Sequence, residues 1–507
     1  MARQQFLEKV LTARVYDLAR ETPLDLMGRI SNRNGNQIWL KREDLQPVFS
    51  FKIRGAFNKI YLMLKANPEL SGVITASAGN HAQGVALSAK KLGLKAVIVM
   101  PVTTPDIKVS AVKSYGAKAI LHGENFDAAK KYALEMSEKE GLAFIHPFDD
   151  VDVMAGQGTI AHEIIRQHPD HIDAIFVPVG GGGLAAGIAG FIKAVRPEIK
   201  IITVEPEDSC CFYKARKAGR RVILKEVGTF ADGVAVKQVG KHTFAMLKNL
   251  ADDAITVTTD QICAAIKDTF EDTRAICEPA GALSLAGLKK YADMHGLNGQ
   301  TLIAINCGAN MNFDRLRHVA ERAEIGENRE ALLAVQIPER PGSFKEFCQL
   351  IGKRSITEFN YRYSDDNLAR VFAGIQLTKG TDEKNQFIEK LQAYGYSVVD
   401  MTQNEVAKLH TRYMVGGHPG GNVNNELLYR FQFPEKPGAL LNFLMKMGKK
   451  WNISLFHYRN HGSNFGRILM GFQVDKADYK AFNALLVGLN IPHWNETEND
   501  AYQLFLK

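Results

Sequence analysis

The stretch Asp173–Val195, DAIFVPVGGGGLAAGIAGFIKAV, decides the fold. Ala174–Val179 is a short apolar run rich in β-branched residues, and Ala185–Val195 continues with helical period. Between them stand Gly180, Gly181, Gly182 and Gly183, followed by Leu184. A strand that passes through a glycine turn into a helix is the repeating unit of a parallel α/β sheet, whose ligands sit outside the carboxyl ends of the strands. The rival reading of this uncharged run is a membrane span, but Pro178 and the six glycines within Ala174–Ile192 weigh against it. Four residues without Cβ atoms can turn several N–H groups toward one phosphate at a helix N-terminus. The pattern is neither G-x-G-x-x-G nor a P-loop, so dinucleotide and ATP sites lose ground. A flexible tight turn is the plainer alternative, and it needs fewer glycines.

Outward from this unit the alternation repeats between Ile38 and about Asn306. Gly72–Ser77 (GVITAS), Lys95–Pro101 (KAVIVMP), Lys118–Gly123 (KAILHG), Lys200–Pro206 (KIITVEP) and Thr301–Cys307 (TLIAINC) read as strands between helical segments. This predicts a largely parallel α/β domain. A chain of 507 residues exceeds one core, and its 46% hydrophobic and 23% charged residues are ordinary for a folded protein. The net charge of +8 comes from Lys and Arg scattered among Asp and Glu, so nucleic acid is not an expected partner. Six cysteines without CxxC spacing suit a reducing cytoplasm and predict no metal site. The N-terminal MARQQFLEKVLTARVYDLARETPL lacks an apolar signal core and reads as an amphipathic helix.

Three further segments carry chemistry. In Ser50–Ala56 (SFKIRGA), Lys52 opens a helical pattern after Phe51; alone it reads as a solvated lysine, and a Schiff-base role needs company. Ser77, Ala78, Gly79, Asn80 and His81 follow the strand Gly72–Ala76 and open a helix, so their backbone N–H groups suit a carboxylate. Asn80 can donate to a phenolate oxygen, although an ordinary turn capped by Ser77 accounts for the segment equally well. Cys307 ends the strand Leu302–Asn306, where a cofactor ring would sit; a small buried Cys is the simpler reading.

Beyond Met311 the pattern changes. NFDRLRHVAERAEIGENRE is charged and lacks a long apolar face, which suggests a linker. An internal repeat follows: AVQIPERPGSFKEFCQLI (Ala334–Ile351) aligns with RFQFPEKPGALLNFLMKM (Arg430–Met447) at an offset of 96. Asn360-Tyr361-Arg362 answers His457-Tyr458-Arg459 at an offset of 97. Each copy reads as a split β-α-β unit whose helix opens at a Pro-Gly turn, Pro341-Gly342 and Pro437-Gly438. Neither copy contains a catalytic constellation.

Taken together, SFKIRGA, SAGNHAQG (Ser77–Gly84), GGGGL and Glu278-Pro279-Ala280-Gly281 resemble the fold-type II pyridoxal phosphate (PLP) enzymes. Over most of the chain the resemblance is to the biosynthetic threonine deaminase family. It implies a tryptophan synthase beta-like catalytic domain with parallel sheets (residues 1–317), a linker (318–329) and two α+β ACT-like repeats (330–412 and 413–507). It also implies that Lys52 carries PLP, Phe51 packs against the ring, Asn80 bonds the ring hydroxyl, Gly180 to Leu184 hold the phosphate and Cys307 faces the pyridine nitrogen. Ser77 to His81 would then hold the carboxylate of threonine, and isoleucine and valine would act through the repeats, with Tyr361 as the leading contact. A cytoplasmic homotetramer is expected on the same ground. Related racemases hold a divalent cation with a glutamate and an aspartate six residues later. Here Glu205 is followed at that distance by Cys211, so no such metal is expected.

Overall fold

In a computed structural model the described residues are the whole chain except 1–2, 353, 365–366, 415–418, 420–422, 435–438, 448–449 and 460–464. The chain divides into two compact units between Gly326 and Glu327. Pro437 and Gly438, expected to form the second turn, lie outside the described residues.

The first unit contains ten strands: β1 (Leu24–Leu26), β2 (Gln37–Arg42), β3 (Gly72–Ala76), β4 (Lys95–Met100), β5 (Lys118–Leu121), β6 (Ala143–Phe144), β7 (Ala174–Pro178), β8 (Lys200–Pro206), β9 (Asp253–Val257) and β10 (Thr301–Asn306). They form two sheets, one in the order β1-β2-β10-β7-β8-β9 and one in the order β5-β4-β3-β6. Every pairing is parallel except that of β1 with β2. Helices on both faces account for the unbroken apolar runs: all five residues of β3 and all five of β7 are buried. Strand β10 lies between β2 and β7, so the chain just beyond Asn306 arrives beside the start of the Lys52 helix.

The segment expected to be a linker is otherwise disposed. Arg315–Gly326 is a helix packed on the helix Thr259–Thr273, with Val319 and Ala323 in the core of the first unit. Its charges disguise this contact. Arg322 is buried and paired with Asp260, and a Cβ on Gly326 would lie 2.0 Å from Asp260 O, so no side chain fits there. The catalytic unit therefore runs to Gly326, nine residues past the expected boundary at 317.

The second unit is a single antiparallel sheet of β11 (Glu330–Pro338), β12 (Ile356–Arg362), β13 (Leu368–Gln376), β14 (Ser397–Asp400), β15 (Glu426–Pro434), β16 (Asn452–Arg459), β17 (Phe465–Gln473) and β18 (His493–Asn495). Its order is β14-β11-β13-β12-β16-β17-β15-β18. Each repeat supplies four neighbouring strands, and the two halves join edge to edge where β12 pairs with β16. Gly342, at φ +98°, starts the helix Ser343–Ile351 in a conformation that a residue with a side chain rarely adopts. Among the described residues no helix is long and apolar enough to cross a membrane.

Candidate active site

Lys52 is the first residue of the helix Lys52–Ala66. The segment before it is stitched to the end of β10: Phe51 N–H donates to Cys307 O at 3.2 Å, Ala309 N–H donates to Phe49 O at 2.9 Å, and Ser50 bridges Gly308. Lys52 and Cys307, distant in sequence, are neighbours for this reason. The Lys52 ammonium donates to Pro147 O at 3.0 Å and lies 5.2 Å from the centre of the Phe51 ring. Burial lowers its pKa to about 8, opposed by the fields of Cys307 and Glu278. A desolvated amine of this kind is readily available in its neutral, nucleophilic form.

The helix is held by Arg54, two residues on and fully buried. Its guanidinium donates to Glu43 at 2.7 and 2.8 Å and to Glu163 at 2.5 and 3.0 Å. Lys41 donates to the same Glu163 at 2.6 Å, and the Tyr16 hydroxyl does so at 2.8 Å. Glu43 follows β2 and Glu163 belongs to the helix Val151–Gln167, so both elements are fixed to the helix that begins with Lys52.

The glycine turn lies at the end of β7. Gly183 and Leu184 open the helix Gly183–Val195, so the first amides there have no acceptor within the helix. Each of the four glycines is required for its own reason. A Cβ on Gly181 would lie 2.2 Å from the Phe148 ring, one on Gly180 2.8 Å from Val234 Cα, and one on Gly183 3.0 Å from Phe148 Cα; Gly182 has φ +92°. Gly181 O accepts from Thr243 Oγ1 at 2.7 Å and from Gly240 N–H at 3.2 Å, which turns the loop's amides away from that side. Gly181→Ala is expected to displace Phe148 and weaken PLP binding by about 10- to 100-fold, the counterpart of overpacking a filled site. Titration of the resolved apoprotein with PLP measures it, and an unchanged dissociation constant would reduce the loop to a turn.

The second loop follows β3. Ser77 N–H donates to Val99 O at 3.1 Å, and Gly79 N–H donates to Ser77 Oγ at 3.3 Å. Asn80 then opens the helix Asn80–Lys91, so this loop too ends on free helix amides. Ala78 and Gly79 add no bulk. The His81 ring points away, its Nε2 facing Ile145 O at 3.1 Å, and burial lowers its pKa to about 3, so it stays neutral and offers only its backbone. Gly84 lets this helix approach the Lys52 backbone: a Cβ there would lie 3.2 Å from Lys52 C.

Three residues beyond the sequence expectations complete the site. Glu278, 3% exposed, accepts from Asn80 Nδ2 at 2.6 Å, and Asn310 Nδ2 donates to Asn80 Oδ1 at 2.7 Å. Phe148 walls the glycine turn. The Cys307 thiol donates to Ala280 O at 3.2 Å, and burial pushes it well above the ordinary range, so it faces the site uncharged. Of these, Glu278 was visible in sequence only as part of a longer motif. Asn310 and Phe148 carry no local pattern. The Glu205 carboxylate accepts from Phe212 N–H at 2.8 Å and Tyr213 N–H at 2.6 Å, and burial raises its pKa to about 8.

A buried amine between two loops of free amides, one closed around by four obligatory glycines, fits PLP: the amine would hold the aldehyde carbon, the glycine turn the phosphate, Asn80 the ring oxygen and Cys307 the ring nitrogen. The fold and this site are those of a PLP-dependent enzyme, and residues 15–308 match the family model described as pyridoxal-phosphate dependent enzyme. Residues 321–411 and 420–506 match the C-terminal regulatory domain of threonine dehydratase. The chain belongs to the biosynthetic threonine dehydratase family. It is 54% identical to the biosynthetic L-threonine dehydratase of Burkholderia multivorans over 100% of both chains, and 53% identical to that of Escherichia coli over 99% of this chain and 97% of that one. Among solved structures, the processed form of threonine deaminase isoform 2 from Solanum lycopersicum is 49% identical, with a TM-score of 0.62 over 64% of this chain and 88% of that one. Maize serine racemase is 32% identical, with a TM-score of 0.58 over 62% of this chain and 96% of that one.

Proposed function

We propose that this enzyme deaminates L-threonine to 2-oxobutanoate and ammonia, the committed step toward isoleucine, in the cytoplasm and as a homotetramer. The observation that carries the chemistry is the placing of the Lys52 amine between the two amide-lined loops, next to an uncharged Cys307. Bound there, PLP supplies an electron-poor ring that stabilises negative charge at the substrate Cα. The amides of Ser77 to His81 orient the substrate carboxylate, and Lys52, whose pKa burial lowers to about 8, takes the Cα proton. Cys307 keeps the environment of the ring nitrogen neutral, which favours prompt loss of the β-hydroxyl over prolonged storage of charge. Purified protein assayed with threonine and serine tests the assignment. A higher kcat/KM for serine, or production of D-serine, would favour a serine dehydratase or racemase instead.

Isoleucine inhibits, and valine opposes it, through the two repeats. Support comes from a cavity in the second unit lined by Gln336, Asn360, Tyr361, Arg362, Arg370 and Phe372. The Tyr361 hydroxyl donates to Glu339 beside it, and Asn452 Nδ2 donates to the same carboxylate at 3.2 Å. Tyr361 is itself buried at 3% exposure, packed edge-on against Phe344, so it would act through this hydroxyl and Glu339 rather than as an open surface. Glu339 supplies negative charge of the kind an α-ammonium group needs. The regulatory reading requires coupling between separate sites, so protein ending at Gly326 should turn over threonine and lose inhibition by isoleucine. Undiminished inhibition of the shortened enzyme would place the effector in the catalytic unit.

A further inference from the structure

We propose that Glu278 is a positioning residue for the cofactor, fixing the side-chain amide of Asn80 so that N–H, and not the carbonyl, faces the ring oxygen of PLP. The inference rests on the reading of Lys52 and Asn80 given above. An asparagine amide presents a donor on one side and an acceptor on the other, and the two orientations are nearly equal in shape. Toward an anionic oxygen only the donor is attractive. What selects it is a chain of three residues. Glu278 Oε1 accepts from Asn80 Nδ2 at 2.6 Å, and Asn80 Oδ1 accepts from Asn310 Nδ2 at 2.7 Å. Both neighbours specify the same orientation. A flipped amide would set its oxygen against the carboxylate and its NH₂ against the NH₂ of Asn310.

The chain is anchored at both ends. Asn310 Nδ2 also donates to Val48 O at 2.8 Å, and Glu278 N–H donates to Gly308 O at 3.1 Å. Glu278 stands at the N-terminus of the helix Pro279–His295 but makes no side-chain capping bond there, so capping does not account for a carboxyl at this position. Gly308 leaves it room: a Cβ on that residue would lie 2.6 Å from Oε1. Burial is the largest influence on its proton affinity, followed by Asp232; Asn80 and the Lys108 ammonium, itself bound to Asp232 at 2.6 Å, act the other way, and the result is a pKa of about 7. Lys52 and Cys307 face the same carboxyl. A protonated carboxyl still offers an acceptor oxygen, so the orientation survives titration and fails only when the group is removed.

The test uses full-length Glu278→Ala, Glu278→Gln and Asn80→Ala and the double variant Glu278→Ala/Asn80→Ala. Resolved apoprotein is titrated with PLP, and the dissociation constant and the position of the visible band are read. Glu278→Ala is expected to weaken PLP about tenfold and shift the band. Gln, which can still accept from Asn80, should recover most of both. In the Asn80→Ala background Glu278→Ala should change neither, because its effect passes through that amide. Asn310→Ala should behave as Glu278→Ala does, which keeps the test available if the latter fails to fold. Additive losses in the double variant, or a fall in melting temperature with unchanged PLP affinity and spectrum, overturn the proposal. Borohydride reduction of the wild-type holoenzyme separates the underlying reading: a pyridoxyl label on a residue other than Lys52 overturns that reading, whereas a label on Lys52 with additive losses overturns only the role of Glu278.

Discussion

Lys52→Ala is expected to reduce threonine turnover by about 10⁴-fold or more and to abolish the visible absorbance of bound PLP, because one amine serves both as cofactor carrier and as base. The two losses need not coincide in general. A residue that only held the cofactor would cost affinity and leave a fraction of active enzyme at high PLP. A residue that acted only as base would leave the spectrum intact. Lys52 is fully enclosed, with its ammonium on Pro147 O and the Phe51 ring beside it. Turnover by Lys52→Ala above about 1% of wild type, without added amine, would remove Lys52 from the role of base.

Arg54→Met should cost about 3–5 kcal/mol of stability, a large change for a single substitution. The methionine would occupy similar volume, but Glu43 and Glu163, both fully buried, would lose four charge-assisted hydrogen bonds and be left with Lys41 as the neighbouring cation. Arg54 also donates to Thr159 Oγ1 at 3.1 Å and to Arg20 O at 3.0 Å, so the N-terminal segment loosens with it. Urea unfolding of wild type and variant, monitored in the catalytic unit, gives the difference. A change under 1 kcal/mol would mean that the cluster relaxes or rehydrates far more easily than its burial implies.

This cluster shows where sequence reading stops. The strand-turn-helix units at Gly72 and Ala174 were legible because a short unbroken apolar run bounded by glycine turns suits a strand buried on both faces and little else. Arg54, Lys41 and Glu163 lie on ordinary amphipathic patterns, and a charged residue there reads as solvated until the partner from a distant element is known. The division into two sheets was hidden for a related reason. The six strands legible in the sequence carry the same local signature, and the insertion of β10 between β2 and β7, which carries Cys307 to Lys52, is a property of pairing and not of any segment. Strand β6 has only two residues, so Pro147 and Phe148 beyond it had no context. The helix Arg315–Gly326 looked like a linker because its buried contacts are made by small side chains and by a paired arginine. In the second unit the duplication was plain, whereas the joining of both copies into one sheet depends on β12 meeting β16.

That junction has a consequence for how such a unit could arise. Before duplication, a single four-stranded half would have ended in an unprotected edge, with the backbone groups of β12 open to any other strand. A separate half of this kind would find its partner in an identical half from another molecule, an encounter that depends on concentration. Within one chain the encounter is intramolecular, so the pairing persists at any dilution. A single chain also releases the halves from identity. Asn360 faces His457 at the centre of the seam, an asymmetry that two copies of one sequence could not have, whereas Tyr361 opposite Phe456 is mirrored by Tyr458 opposite Phe359.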